Sequence, residues 1–136
     1  MFLNMLTDEE KQQYLNLAVI AAHINGSLED EEKKFIEGYQ REMEISMGPT
    51  LFDSIPDEES VFNFFSSSEK SHKRIILFEL IGLLTCDRVF DEEEKSFILR
   101  LCSALGFSAD EIDSISQLAL RYFDIVTEIA SSIFIP

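Results

Sequence analysis

An acidic segment that occurs twice, 62 residues apart, constrains this chain more than any other feature. The first copy covers residues 25–36 and the second covers residues 87–98. Five aligned positions are identical: Glu31/Glu93, Glu32/Glu94, Lys33/Lys95, Phe35/Phe97 and Ile36/Ile98. Each copy follows one apolar helical pattern and begins another. The repeat therefore predicts two related helix–acidic turn–helix halves, covering about residues 8–43 and 70–105.

The remaining segments complete an all-helical prediction. A short helix within residues 49–68 should connect the two halves, and a C-terminal helix should cover about residues 109–130. Capping-box sequences at Thr7–Glu10 and Ser108–Glu111 indicate two of the helix starts. A chain of 136 residues with 46% apolar content can bury one core. We therefore expect a single all-α domain over residues 1–136, built from six or seven helices.

The net charge of −15 restricts the kinds of partner that this chain can bind. Binding to phosphates requires clustered Lys and Arg, so we expect no nucleic-acid partner. The charge favours divalent cations or a basic protein surface instead. One basic cluster, residues 70–74, should be a solvated helix face or should pair with acidic side chains or with a partner. The sequence shows neither a signal-peptide pattern nor an apolar run of about 20 residues, which predicts a cytoplasmic protein that does not insert into membranes.

The two acidic turns allow a structural and a cation-binding interpretation. Carboxylates in the first turn of a helix are stabilised by the helix dipole, and other helix starts in this chain also carry acids. An EF-hand loop, in contrast, needs oxygen ligands at its first and third positions, where both turns have other residues. Only the second half of such a loop is present in each turn. If the turns face each other, six residues could still hold Ca²⁺ or another divalent cation weakly: Asn25, Glu29, Glu32, Asp87, Asp91 and Glu94.

The segment Asn25-Gly26-Ser27-Leu28-Glu29-Asp30-Glu31-Glu32 and its repeat at residues 87–94 resemble the acidic turns of the TerB-like, tellurite-resistance-associated family. The resemblance covers about residues 7–130. It implies a bacterial helical domain with a pseudo-duplicated core that serves stress responses as an interaction or metal-sensing module. It also implies the same six candidate metal ligands. Asn25 and Arg88 depart from the family pattern, where Asp and Gly are expected, and both changes reduce negative charge.

Three functions remain open from the sequence. The favoured one is a non-enzymatic acidic module that binds a protein partner, with no catalytic residue and no organic cofactor. A metal-dependent enzyme that uses the clustered carboxylates is the second. The third is an assembly element that forms a homodimer through its apolar C-terminal tail, Ile133, Phe134 and Ile135.

Overall fold

The computed structural model describes residues 1–24, 26, 28–48, 51–85 and 90–134. A short 3-10 helix, Leu3–Met5, is followed by six α-helices. These are α1 (Asp8–Ala22), α2 (Asp30–Met43), α3 (Glu58–Ser66), α4 (Lys70–Leu84), α5 (Glu92–Leu105) and α6 (Ala109–Ile133). Within the described ranges there is no β-strand. The predicted all-α class is confirmed.

The helix boundaries follow the register of the sequence repeat. Helix α4 begins and ends 62 residues after α1, and both helices have 15 residues. Helix α5 begins and ends 62 residues after α2, and both have 14 residues. Equivalence of the two halves in three dimensions stays a prediction, but their helices begin and end at matching positions.

Four helix boundaries differ slightly from the prediction. Helix α1 stops at Ala22 and α4 at Leu84, each about two residues earlier than the apolar pattern indicates. A proline followed by acids is typical of a first helical turn. Pro56 nevertheless precedes α3, because the Asp57 carboxylate caps that helix by accepting a hydrogen bond from Ser60 N at 3.0 Å. Helix α6 continues three residues past the predicted end to Ile133, and the side chains of Ile133 and Phe134 are exposed. Ile135 lies outside the described residues.

Helices α1 and α4 form the centre of the core. Both are buried on nearly all sides along their C-terminal halves, from Leu17 to Ala22 and from Leu80 to Leu84. A helix that is apolar all round must be covered by other elements on every side. Helix α3 packs against α1 and α5, and α6 packs along α4. Helix α2 covers α1 and reaches α4, where Tyr39 Oη donates a 2.8 Å hydrogen bond to the Glu79 carbonyl.

A buried carboxylate joins the first turns of the two central helices. Glu10 accepts a hydrogen bond from Thr7 N at 2.9 Å, completing the predicted capping box, and its Oε1 lies 2.7 Å from His72 Nδ1. Burial raises the pKa of Glu10, but hydrogen bonds from Thr7, Ser68 and His72 outweigh it and leave the pKa below its ordinary value. The ionised carboxylate is therefore the form that the fold stabilises.

Helix α5 offers a direct test of the core. Phe97 is fully buried, whereas Leu99, two residues later, is 60% exposed. We expect Phe97→Ala to lower the free energy of unfolding by about 3–5 kcal/mol, because it leaves a cavity. Leu99→Ala should change it by no more than about 0.5 kcal/mol. Urea unfolding measures both, and equal losses would contradict the placement of α5.

The Glu10 carboxylate predicts a pH-dependent contribution to stability. Because the pKa of Glu10 is lowered in the folded state, the ionised carboxylate stabilises the fold above the ordinary Glu pKa of 4.5. This stabilisation is lost as the pH falls through the folded-state pKa. At pH 6, we expect Glu10→Gln to be less stable than the wild type by roughly 1–3 kcal/mol. The difference should shrink as the pH falls below 4.5. Exposed Glu9 provides the control: Glu9→Gln should show little difference across this range, and a pH-independent loss for Glu10→Gln would contradict the assignment.

Candidate functional site

A groove of about 880 Å³ lies between α2, the C-terminal end of α4 and α6. Its floor is aromatic: Phe35 of α2 and Phe123 of α6 have ring centroids 6.2 Å apart, and Phe90 joins them from the segment before α5. Leu120 and Val126 extend the apolar lining along α6 and are each about two-fifths exposed. The groove therefore presents apolar surface that a partner can reach.

The charged residues of the groove lie on its rim. Glu31 and Lys34 belong to α2, and Asp124 belongs to α6. All three side chains are exposed, so their charges stay hydrated above the apolar floor. The two acids outnumber the single lysine, and the rim has the same sign of charge as the whole chain.

A close approach between α4 and α6 at Gly82 shapes the floor. A Cβ atom added at Gly82 would overlap the ring of Phe123. The ring of Phe123 also packs against Phe78, one turn earlier on α4, with centroids 5.7 Å apart. Only a residue without a side chain allows α6 to lie this close to α4 at this position. The sequence signal for this contact is a glycine inside an apolar helical pattern.

The four described residues of the predicted cation site are helix-capping residues at the starts of α2 and α5. Glu29 N donates a 3.1 Å hydrogen bond to Glu32 Oε1, and Asp91 N donates one of 3.2 Å to Glu94 Oε1. The Asp91 side chain in turn accepts a 2.9 Å hydrogen bond from Glu94 N. Glu32 and Glu94 are buried in these positions. The structural interpretation of the acidic turns is therefore confirmed at both helix starts.

The predicted cation site itself is only partly described. Asn25 and Asp87 lie outside the described residues, and within those residues no three His, Cys, Asp or Glu side chains form a group that could hold a metal ion. The groove is lined by Glu31, not by the candidate ligands Glu29, Glu32, Asp91 or Glu94. Cation binding by the six candidate residues stays a prediction.

The basic cluster of α4 interacts with the protein's own acidic and carbonyl groups. Lys70 Nζ lies 3.1 Å from Glu111 Oε2, and Arg74 lies 3.7 Å from the same oxygen. Lys73 donates a 3.2 Å hydrogen bond to the Leu105 carbonyl at the end of α5, and His72 binds Glu10. These contacts confirm pairing with acidic side chains. They also reduce the positive charge available to a partner.

The one cysteine in the described residues has no features of a reactive thiol. Cys102 is buried in α5, and burial raises its pKa to about 12. A thiol that stays protonated at neutral pH is a poor nucleophile. Cys102 therefore acts as a small apolar core residue, as its position in the helical pattern predicts, while Cys86 lies outside the described residues.

Two glycines in helices provide a matched test of the groove floor. Gly82→Ala should lower the free energy of unfolding by roughly 1–3 kcal/mol, because the new methyl group displaces Phe123. A Cβ at Gly38 in α2 would meet only Arg41 Nη2, at 3.7 Å. Gly38→Ala should therefore stabilise the protein by about 0.5–1 kcal/mol. Urea unfolding compares the two, and stabilisation by both substitutions would contradict the close contact at Gly82.

Comparison with known proteins adds no family assignment to this site. No family model, no curated protein and no solved structure matches the chain. Among the described helices, none combines the length and apolar character needed to cross a membrane. A functional proposal therefore depends on the groove, its charges and the acidic character of the chain.

Proposed function

We propose that this chain is a non-enzymatic binding module that holds a segment of a protein partner in the groove between α2 and α6. The partner segment is an amphipathic helix with Lys or Arg beside its apolar face. The observation that carries this proposal is an accessible apolar groove with a mainly acidic rim, in a chain of net charge −15. Helix-in-groove recognition uses this combination of apolar anchors and a polar edge.

The distribution of polar groups favours a protein segment over a small molecule. Sites for small molecules have a few converging polar groups that fix the orientation of the ligand. Here the charged side chains Glu31, Lys34 and Asp124 are exposed on the rim, and the floor consists of Phe35, Phe90 and Phe123. A rim of this kind favours a longer ligand that carries positive charges on either side of its apolar residues. The apolar side chains of such a ligand would pack on the aromatic floor.

The charge of the surface determines the sign of the charge that a partner must carry. The basic cluster of α4 is paired with Glu10, Glu111 and the end of α5, so the net negative charge dominates the rest of the surface. An acidic surface attracts basic partners over a distance and accelerates their association. Because this attraction is screened by salt, binding should weaken as ionic strength rises.

The resemblance to the TerB-like family is consistent with this proposal and extends it. The resemblance implies an interaction module in a bacterial stress response related to tellurite resistance. We include this context in the proposal, together with a cytoplasmic location. Weak binding of a divalent cation at the acidic turns would accompany partner binding and would not replace it.

The test uses a synthetic peptide as the partner segment. The peptide is a helix of about 18 residues with Leu at positions i, i+3, i+4 and i+7 and Lys on both flanks. Fluorescence anisotropy should show binding that weakens with added salt. Combining Glu31→Lys with Asp124→Lys should weaken binding about tenfold or more, because it reverses the charge of the rim. Leu120→Ser should weaken binding by a smaller factor.

Glu59→Lys provides the matched control for Glu31→Lys. Glu31 and Glu59 are both exposed, both occupy the second position of a helix, and the change in charge is identical. Glu59 lies on α3, outside the groove lining. If Glu59→Lys weakens binding as much as Glu31→Lys, the peptide recognises only net charge, and the proposed groove site is wrong.

A further inference from the structure

Helix α6 extends beyond the body of the protein. It runs in the same direction as α4, because Lys70 pairs with Glu111 near the start of both helices and Gly82 contacts Phe123 near the end of α4. Helix α4 ends at Leu84, whereas α6 continues ten residues past Phe123. Ten helical residues correspond to about 15 Å. Every residue from Asp124 to Phe134 is exposed.

One face of this helix is an apolar stripe in which, within the described residues, every side chain but the half-buried Tyr122 is exposed. We call it the outer seam, and it consists of Leu118, Tyr122, Ile125, Ile129 and Ile133. The spacings of four and three residues place these side chains on one side of the helix. Leu118, Ile125 and Ile129 are 51%, 51% and 50% exposed, and Ile133 is 64% exposed.

Most of the outer seam lies to one side of the α4 contact, while Tyr122 also packs against Phe78 of α4 with ring centroids 5.6 Å apart. Ala119 is fully buried and, with Phe123, marks the side of α6 that packs on α4. Successive residues of an α-helix are turned by about 100°, so Leu118 points about a quarter turn away from Ala119. Only Tyr122 belongs both to the seam and to the groove lining. A second molecule can therefore reach the seam while the groove is occupied.

We propose that the outer seam binds a second copy of this chain, with the two α6 helices antiparallel. An interface between identical copies with two-fold symmetry must be complementary to itself. A two-fold axis placed between Tyr122 and Ile125 meets this condition. It puts Tyr122 beside the partner's Ile125 and Leu118 beside the partner's Ile129.

The charges beside the seam have the same symmetry. In this register Arg121 lies next to the partner's Glu128, and Glu128 lies next to the partner's Arg121, so two ion pairs form across the interface. Neither side chain has an ion pair among the described residues of its own chain. A parallel arrangement would bring Arg121 near the partner's Val126 instead, and no such pairs would form. The charges therefore favour the antiparallel register.

The size of the seam predicts a weak dimer. Its exposed apolar side chains present on the order of 400 Å² per copy, taking roughly 150–250 Å² for a fully exposed large side chain. A standard stable interface uses roughly 800 Å² from each partner. Two copies each carry a charge of −15, and their repulsion opposes association. Added salt screens this repulsion, so the dimer should become tighter with salt, whereas binding of a basic peptide in the groove becomes weaker.

Sedimentation equilibrium of the full chain at protein concentrations up to about 500 μM tests the proposal. High concentrations are needed because a small interface gives weak association. We expect self-association that strengthens with salt and weakens about tenfold in Ile129→Ser. Leu99→Ser is the control, since Leu99 is also well exposed but lies on α5, and it should leave the dimer unchanged. Arg121→Glu and Glu128→Arg should each weaken the dimer about threefold or more, and the double variant should restore it.

Four outcomes would overturn the proposal. One is a monomer at all concentrations and salt conditions. Another is self-association that Ile129→Ser does not weaken. A third is failure of the double charge exchange to restore the dimer, which would exclude the antiparallel register. The last is a monomer that binds the basic peptide through Ile129, which would assign the seam to a different partner. Failure of the wild type to bind the peptide, or equal weakening by Glu59→Lys and Glu31→Lys, would count against the groove proposal only and would leave the dimer proposal intact.

Discussion

The structure depends on the burial of two helices, α1 and α4, that are apolar almost all round. Such helices cannot remain at a surface, because leaving one side exposed costs roughly 25 cal/mol per Å² of apolar area. Helices α2, α3, α5 and α6 therefore cover them from different sides. The first turns of the two central helices are joined by the contact between Glu10 and His72, which satisfies a buried carboxylate and fixes their relative position. The other helices are placed by this central pair.

The groove is a consequence of how α6 covers α4. Gly82 lets α6 approach closely at Phe123, but α4 ends at Leu84 and α6 continues. Near this end, Phe35 and Phe90 reach α6 from the sides of α2 and α5 without closing the surface. Beyond it, α6 has no covering element among the described residues and exposes its apolar side chains. The groove and the outer seam thus share one origin, a covering helix that is longer than the helix it covers.

The acidic turns show that the carboxylates predicted as cation ligands also have a structural role at helix starts. Carboxylates three residues apart at a helix start satisfy the free amide groups there, and Asp91 with Glu94 does this in both directions. The repeat in the sequence is thus accounted for by capping at both helix starts. Glu10 and Glu79 are also buried, whereas most of the chain's other acids lie on the surface and set the charge that a partner meets.

The sequence by itself determined the helical class, the positions of the four repeated helices to within about two residues, and the capping role of Thr7 with Glu10. These features depend on local periodicity and on hydrogen bonds within one turn, which a single segment encodes. It could not locate the groove, because Phe35, Gly82 and Phe123 are far apart in the chain and meet only when α2, α4 and α6 pack. It also could not show that the apolar face of α6 is exposed, since Leu118 and Ala119 fit the same apolar pattern. Only the tertiary structure decided that Ala119 is buried and Leu118 is exposed, because α4 covers one side of α6 and is too short to cover the rest.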